Sequence, residues 1–218
     1  MFEAVLFDLD GTVADTAPDL GAAANTLRRE EGLAALPLAT LRPYTSQGVR
    51  GLLRIAFGID GQHPDYPRLS ARFLELYAAN LCRETKLFDG MEELLARLED
   101  RGIPWGIVTN KRSRYTLPLM DALGLAARTP CIVSGDTTPS PKPSPLPVLH
   151  ACSLLAVAPA NTLYVGDDRR DIEAGRAAGT ATAAVTYGYL GDGGPVLSWN
   201  AHFVVDHPLE LATYIFPN

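Results

Sequence analysis

The chain has 218 residues, with 19 Lys and Arg against 25 Asp and Glu, a formal net charge of −6, 47% hydrophobic and 20% charged residues. These proportions exclude a disordered chain. The acid surplus sets aside nucleic acid as main ligand, because such binding rests on neutralising phosphate backbones. The length suits one core with one smaller inserted domain.

Ala4–Phe7 is a short apolar run that stops at Asp8-Leu9-Asp10-Gly11-Thr12 and reads as a strand buried on both faces. A helix follows, with Pro18 near its start, Leu20, Ala23, Ala24 and Leu27 on one side, and Gly32 as its stop. No strand is expected from there to about Lys86; residues 51–57 and 69–81 read as helices. Beyond Lys86 strands and helices alternate. Strands are expected at 104–109, 131–133, 163–165, 181–185 and 203–205. Helices are expected at 91–101, 114–123, 145–155 (Ser144 as cap), 172–178 and 209–215. That order predicts an α/β fold, a parallel sheet covered on both faces. The predicted core is residues 1–15 and 86–218, and residues 16–85 form a helical insert.

Cys82, Cys131 and Cys152 lack metal-ligand spacing and read as buried apolar residues of a chain in a reducing compartment. Residues 1–9 meet Glu3 and Asp8 with no basic segment or long apolar stretch, unlike a signal peptide. No window approaches the roughly 18 apolar residues of a spanning helix. The expectation is a soluble cytoplasmic protein without membrane partners.

In open parallel sheets ligands bind beyond the C-terminal strand ends. The first strand delivers Asp8 and Asp10 there, the second Thr109 followed by Asn110 and Lys111, the third leads to Lys142, and the fourth gives Asp167, Asp168 and Asp171. Two unit charges 4 Å apart repel by about 4 kcal/mol at an effective dielectric of 20. Carboxylates gathered so closely either hold protons or hold a cation. Oxygen-only ligands point to Mg²⁺, which also binds substrate phosphate. Lys142 and the Thr109 hydroxyl suit phosphoryl oxygens. Asp8 and Asp10, at i and i+2 of an extended chain, point the same way. Asp8 could attack phosphorus and form an aspartyl-phosphate, and Asp10 could act as acid and base. Gly11 would let the chain turn away without crowding the phosphate.

Asp8-Leu9-Asp10-Gly11-Thr12-Val13-Ala14-Asp15, Val108-Thr109-Asn110-Lys111, Lys142-Pro143 and Gly166-Asp167-Asp168-Arg169-Arg170-Asp171 resemble, in order, the four motifs of the haloacid dehalogenase superfamily. The resemblance covers almost the whole chain. It implies a Rossmann-like core and a small α-helical cap of the C1 type. It implies Asp8 as nucleophile and metal ligand, and Asp10 as acid/base binding metal through its backbone carbonyl. It implies Thr109 and Lys142 as phosphoryl holders, and Asp167 completing the Mg²⁺ shell with Asp171 behind it. Gly11, Thr12 and Asn110 are counted with the phosphate-binding residues.

Within the superfamily the chain is most similar to phosphoglycolate phosphatases. Asp168 departs from the Ser or Thr common there. Residues 166–189 and 204–209 look like phosphatases of N-acetylmuramic acid 6-phosphate. The implied activity is therefore Mg²⁺-dependent hydrolysis of a small anionic phosphomonoester, 2-phosphoglycolate first, with the muramic acid ester and a phosphosugar mutase as alternatives, by a monomer or homodimer. By the same resemblance, Tyr44 to Arg50 is a specificity loop between helices, offering Ser46, Gln47, Gly48 and Arg50 to substrate. Arg50 could read a carboxylate. Asp168 is expected either to cap a helix or to stand behind the metal, Asp15 to cap the first cap helix or to help at the site, and His63, His150, His202 and His207 to be structural or on the surface.

Overall fold

The structure, a computed structural model, describes residues 2–216; the remaining ends of the expected core, 1 and 217–218, lie outside them. Strand β1 (Ala4–Phe7) is buried at every position, as its unbroken apolar run requires. A two-residue strand β2 (Ala14–Asp15) follows, then α1 (Ala17–Glu30), α2 (Leu38–Leu41), a 3₁₀ turn over Arg42–Gln47, α3 (Gly48–Phe57) and α4 (Tyr66–Ala79). Strand β3 (Lys86–Leu87) returns the chain. It is followed by α5 (Met91–Asp100), β4 (Trp105–Val108), α6 (Ser113–Ala122), β5 (Ile132–Val133), α7 (Leu146–Leu154), β6 (Thr162–Gly166), α8 (Arg169–Ala178), β7 (Ala181–Val185), β8 (Phe203–Val205) and α9 (Leu211–Ile215).

The main sheet has six parallel strands in the order β5-β4-β1-β6-β7-β8. Alternate side chains of one strand feed two cores. Val5 and Phe7 pack with Leu94, Leu98, Leu119 and Leu211 of α5, α6 and α9. Leu6 packs on the other face with Val148 and Ala174 of α7 and α8. Each fully buried Leu or Phe contributes roughly 1.5–3 kcal/mol of transfer free energy. Helices α1, α3 and α4 close around a core of their own, built from Leu20, Leu27, Leu52, Leu53, Phe73 and Tyr77, which Tyr115 of α6 joins.

The expected strands all form. Three features were not anticipated, one of them the short helix α2. Between Ala14 and Leu87 the chain makes an antiparallel ladder, Ala14 opposite Leu87 and Asp15 opposite Lys86. Two-residue strands are too short to carry an alternation pattern. The stretch expected as a loop, 44–50, is instead a 3₁₀ turn running into α3, so Arg50 lies on a helix; Gly48, at φ +61°, makes the junction. Helix α7 starts one residue later than expected: Pro145 takes the cap position and the Ser144 hydroxyl accepts the Leu146 N–H at 3.3 Å. Among the described residues no helix is long and apolar enough to cross a membrane.

Candidate active site

Strand order reverses between β1 and β6: the chain runs outward through β4 and β5, returns to β6 beside β1, and runs on through β7 and β8. A crevice opens beyond the strand ends at such a switch point. Asp8 leaves β1 there, its N–H on the Val165 carbonyl of β6, and Asp167 leaves β6.

Lys142 is the hub. Its buried ammonium lies 2.8 Å from Asp8 Oδ1, 2.7 Å from Asp171 Oδ1, and donates to the Val108 carbonyl at 2.8 Å. Asn110 holds the Lys142 backbone from both sides: Nδ2 donates to the Lys142 carbonyl at 3.0 Å and Oδ1 accepts its N–H at 2.9 Å. Tyr164 donates to Asp171 Oδ1 at 3.1 Å. Thr109 is buried on the cavity wall, with Oγ1 accepting the Lys111 N–H at 3.2 Å, which leaves its own proton to donate.

Asp8, Asp167 and Asp171 each bring a carboxylate oxygen within 4.8 Å of the others, all three buried. Burial first, then the Asp171 and Asp10 charges, push the Asp8 carboxyl up to about 7 against the pull of Lys142. Burial and the charges of Asp8 and Asp171 raise Asp167 well above the carboxylate range. Lys142 itself is raised: burial opposes its charge, but Asp171 and Asp8 outweigh it. Asp167 has no cation within ion-pair distance among the described residues. Its partners are the Tyr189 N–H at 2.8 Å, the Ser46 hydroxyl at 2.9 Å and the Thr12 hydroxyl at 3.2 Å. An all-oxygen buried set with more acid than one lysine can balance fits a hard divalent cation. Two glycines make room for it: a Cβ on Gly11, at φ +88°, would lie 2.2 Å from Asp167 Oδ2, and one on Gly166 would lie 2.4 Å from Asp171 Oδ2.

The Asp10 side chain stands apart from that set. It accepts from the Thr16 hydroxyl at 2.6 Å and from the Lys111 ammonium at 2.8 and 3.1 Å, while its backbone carbonyl faces the Ser46 hydroxyl at 3.3 Å. Asp168 caps α8: its side chain accepts the Arg170 N–H, and Asp171 Oδ2 accepts the Asp168 N–H in return. It also grips the Arg170 guanidinium through two contacts of 2.8 Å, and despite burial this partner holds the Asp168 carboxyl below its ordinary value. Arg170 reaches on to the Ser46 carbonyl at 2.8 Å, tying α8 to the 3₁₀ turn.

Asp8, Asp10, Thr109, Asn110, Lys142 and Asp171 line a cavity of about 250 Å³ together with Ser46, Gln47, Gly48 and Arg50 from the helical insert. Gly11, Thr12 and Asp167 do not line it. Leu20, Phe73, Leu74, Tyr77 and Tyr115 make its apolar side. Gln47, Arg50, Asp168 and Arg170 also border a second chamber of about 510 Å³.

Sequence reasoning gave no role to Lys111, Arg170, Tyr77, Tyr115, Arg112 or Tyr189. Lys111 follows directly after Thr109-Asn110, and Arg170 stands two residues from Asp168, so position alone was the available signal. Tyr189 carried none: its hydroxyl donates to Asp15 Oδ1 at 2.9 Å and accepts the Ala17 N–H, contacts across more than 170 residues. Asp15 also pairs with Arg42 at 2.9 Å, and Thr16 holds the cap position of α1 that Asp15 was one candidate to fill. None of the four histidines lines the cavity.

A profile of the Haloacid dehalogenase-like hydrolase family matches residues 5–185. The chain belongs to that family, whose members generally use a divalent metal. It is 45% identical over 212 residues to an N-acetylmuramic acid 6-phosphate phosphatase of Pseudomonas putida, spanning 97% of this chain and 95% of that protein. It is 45% identical over 212 residues to a phosphoglycolate phosphatase of Xanthomonas campestris, spanning 95% and 94%. A crystallised protein of Haemophilus somnus 129pt, described as a predicted phosphoglycolate phosphatase, matches with a TM-score of 0.86 at 25% identity, over 98% of this chain and 97% of that one.

Proposed function

We propose that this chain is a Mg²⁺-dependent phosphatase that hydrolyses a small-molecule phosphomonoester through an aspartyl-phosphate on Asp8. The observation that carries the reading is Asp8 itself: a buried carboxylate at the cavity floor, 2.8 Å from the Lys142 ammonium, with Asp10 two residues on. Residues 1–15 and 86–218 would be the catalytic core and residues 16–85 its cap.

Asp8 attacks phosphorus, and the bond to the substrate's alcohol oxygen breaks as the acyl phosphate forms. Asp10, held at the cavity by Thr16 and Lys111, gives a proton to the departing alcohol and later takes one from the water that hydrolyses the acyl phosphate. Lys142 and the Thr109 hydroxyl hold the phosphoryl oxygens, and Asn110 fixes the Lys142 backbone. Gly11 and Thr12 keep Asp167 in place. Mg²⁺, held by Asp8, the Asp10 carbonyl and Asp167 with Asp171 behind, would neutralise charge on the phosphoryl group.

Two substrates follow from the relatives' names, 2-phosphoglycolate and N-acetylmuramic acid 6-phosphate. Both carry a carboxylate, and Arg50, without an acidic partner among the described ion pairs, is suited to read it beside Ser46, Gln47 and Gly48. The broad apolar wall of Leu20, Phe73, Leu74, Tyr77 and Tyr115 favours the larger ester, since a two-carbon acid has almost no apolar surface to cover. We place the enzyme in the cytoplasm, as a monomer or homodimer; three free cysteines and no disulfide suit a reducing compartment.

Phosphate release from both esters and from an aryl phosphate, with Mg²⁺ and with chelator, tests the reading. Mg²⁺-dependent release without a bisphosphate primer is expected, and it separates hydrolysis from phosphosugar mutase chemistry. Release unchanged by chelator would remove the metal from the proposal.

A further inference from the structure

Among the described residues two buried side-chain polar atoms have no hydrogen-bond partner: Thr45 Oγ1 and the Tyr77 hydroxyl. Thr45 is 2% exposed and Tyr77 1%. Both line the same cavity, whose floor is Asp8 and Lys142. They come from different parts of the helical insert, Thr45 from the 3₁₀ turn and Tyr77 from the last turn of α4. A buried hydroxyl without a partner costs stability, so native structures keep few of them, and those that persist call for an explanation.

The surroundings of Tyr77 hold the hydroxyl in place. Its ring packs against Tyr115 at 5.9 Å between centres. The Lys111 ammonium, paired with Asp10, lies 4.8 Å from the ring centre and near the phenol oxygen; as a donor it can meet only that oxygen, so the phenol proton has no acceptor. Burial pushes the phenol up to about 12, so it keeps its proton and is a donor at neutral pH. Thr45 can donate or accept. A neutral donor and a neutral donor-acceptor, inside a cavity that already supplies cations for anionic groups, match a neutral polar substituent. Such a substituent is a ring hydroxyl or an amide.

We propose that Tyr77 and Thr45 form a subsite for the neutral hydroxyl or amide groups on the alcohol portion of the substrate, selecting phosphorylated amino sugars over short phosphorylated acids. This rests on the phosphatase reading above. A two-carbon acid offers only its phosphate and carboxylate and leaves both hydroxyls orphaned. An N-acetylated sugar satisfies them, and a site built to bond a polar group discriminates strongly against ligands that lack it.

The test is kcat/KM for N-acetylmuramic acid 6-phosphate and for 2-phosphoglycolate, in wild type, Tyr77→Phe and Thr45→Val, with the melting temperature of each ligand-free protein. Each variant should lower the ratio of the first kcat/KM to the second by about tenfold, the factor carried by one hydrogen bond of ordinary strength, through a raised KM. Ligand-free melting temperatures should hold or rise, because each substitution removes an unpaired buried hydroxyl. A ratio that stays within about twofold of wild type, whether or not the melting temperature falls, overturns the subsite. If wild type releases phosphate from neither ester, the phosphatase reading fails. The subsite is then judged by calorimetric binding of N-acetylmuramic acid 6-phosphate, which Tyr77→Phe should weaken by the same factor; unchanged affinity would overturn it.

Discussion

The Ser46 hydroxyl donates to Asp167 Oδ2 at 2.9 Å and lies 3.3 Å from the Asp10 carbonyl oxygen. Those oxygens are two of the proposed ligands of the cation, so a residue of the helical insert and the metal draw on the same acceptors. Ser46→Ala should therefore tighten Mg²⁺ binding by about threefold to tenfold, the worth of one or two modest hydrogen bonds. The midpoint of thermal stabilisation against Mg²⁺ concentration reads this directly. Weaker binding would make the hydroxyl a ligand instead of a competitor.

Asp8→Asn should abolish phosphate release while leaving the protein folded, since the amide keeps the carboxylate's shape and removes its nucleophilic charge. Near-wild-type turnover by a folded variant would take Asp8 out of the nucleophile's role. Circular dichroism alongside the assay separates loss of chemistry from loss of fold.

Lys142→Met leaves Asp8 and Asp171 buried with no cation between them. Removing one partner of a buried pair costs roughly 3–5 kcal/mol. Urea denaturation in chelator should show a loss of that order, partly recovered by saturating Mg²⁺. A loss below about 1 kcal/mol would mean that the carboxyls simply take up protons.

The raised carboxyls of Asp8, at about 7, and of Asp167 give the metal-free protein an unusual pH profile. The folded state holds these protons more tightly than the unfolded chain, whose carboxyls titrate near the ordinary value of 3.8. Stability contributed by these groups is therefore full below about pH 4 and falls as pH rises towards about 7. Lys142, Asp171 and Asp10, which face Asp8, set the size of the effect. Melting in chelator should drop across that window and flatten when Mg²⁺ is added. A melting temperature that rises from pH 5 to 7 in chelator would contradict it.

Asp19, buried in the first turn of α1, accepts the N–H groups of Arg83, Glu84 and Thr85 and the Thr85 hydroxyl. Asp19→Ala orphans three backbone donors where the chain re-enters β3. A loss of at least about 2 kcal/mol is expected, with faster proteolysis around residues 80–86 than elsewhere. Uniform sensitivity to protease would place the damage in the global fold.

Much of this was legible in the residues. β1 and β4 are unbroken apolar runs and β6 is buried throughout because helices cover both faces of the sheet, and the residue after each strand falls on the rim whatever the packing above it. The capping role of Asp168 was legible as one of two readings, because capping is local in sequence; its reciprocal bond with Asp171 was not read. What was hidden is long-range or very short. The ladder of β2 and β3 is held by two pairs of residues. The contact of Tyr189 with Asp15 joins residues that only the folded sheet brings together. The orphan hydroxyls of Thr45 and Tyr77 exist only as a property of the folded cavity.

The rung between Asp15 and Lys86 has a consequence for how such a protein can change. Residues 16–85 leave the core and rejoin it at one hydrogen-bonded step, so their two junctions stay side by side whatever lies between. An insertion, a deletion or an exchanged segment there leaves the register of the six main strands alone, because β1 is aligned by β4 and β6. On the proposed reading, most of the bond-breaking groups and the substrate-sorting groups would lie on separately editable stretches. A graft across positions 15 and 86 would have to keep Thr16 and Ser46, the two residues of the exchanged segment that hold Asp10 and Asp167.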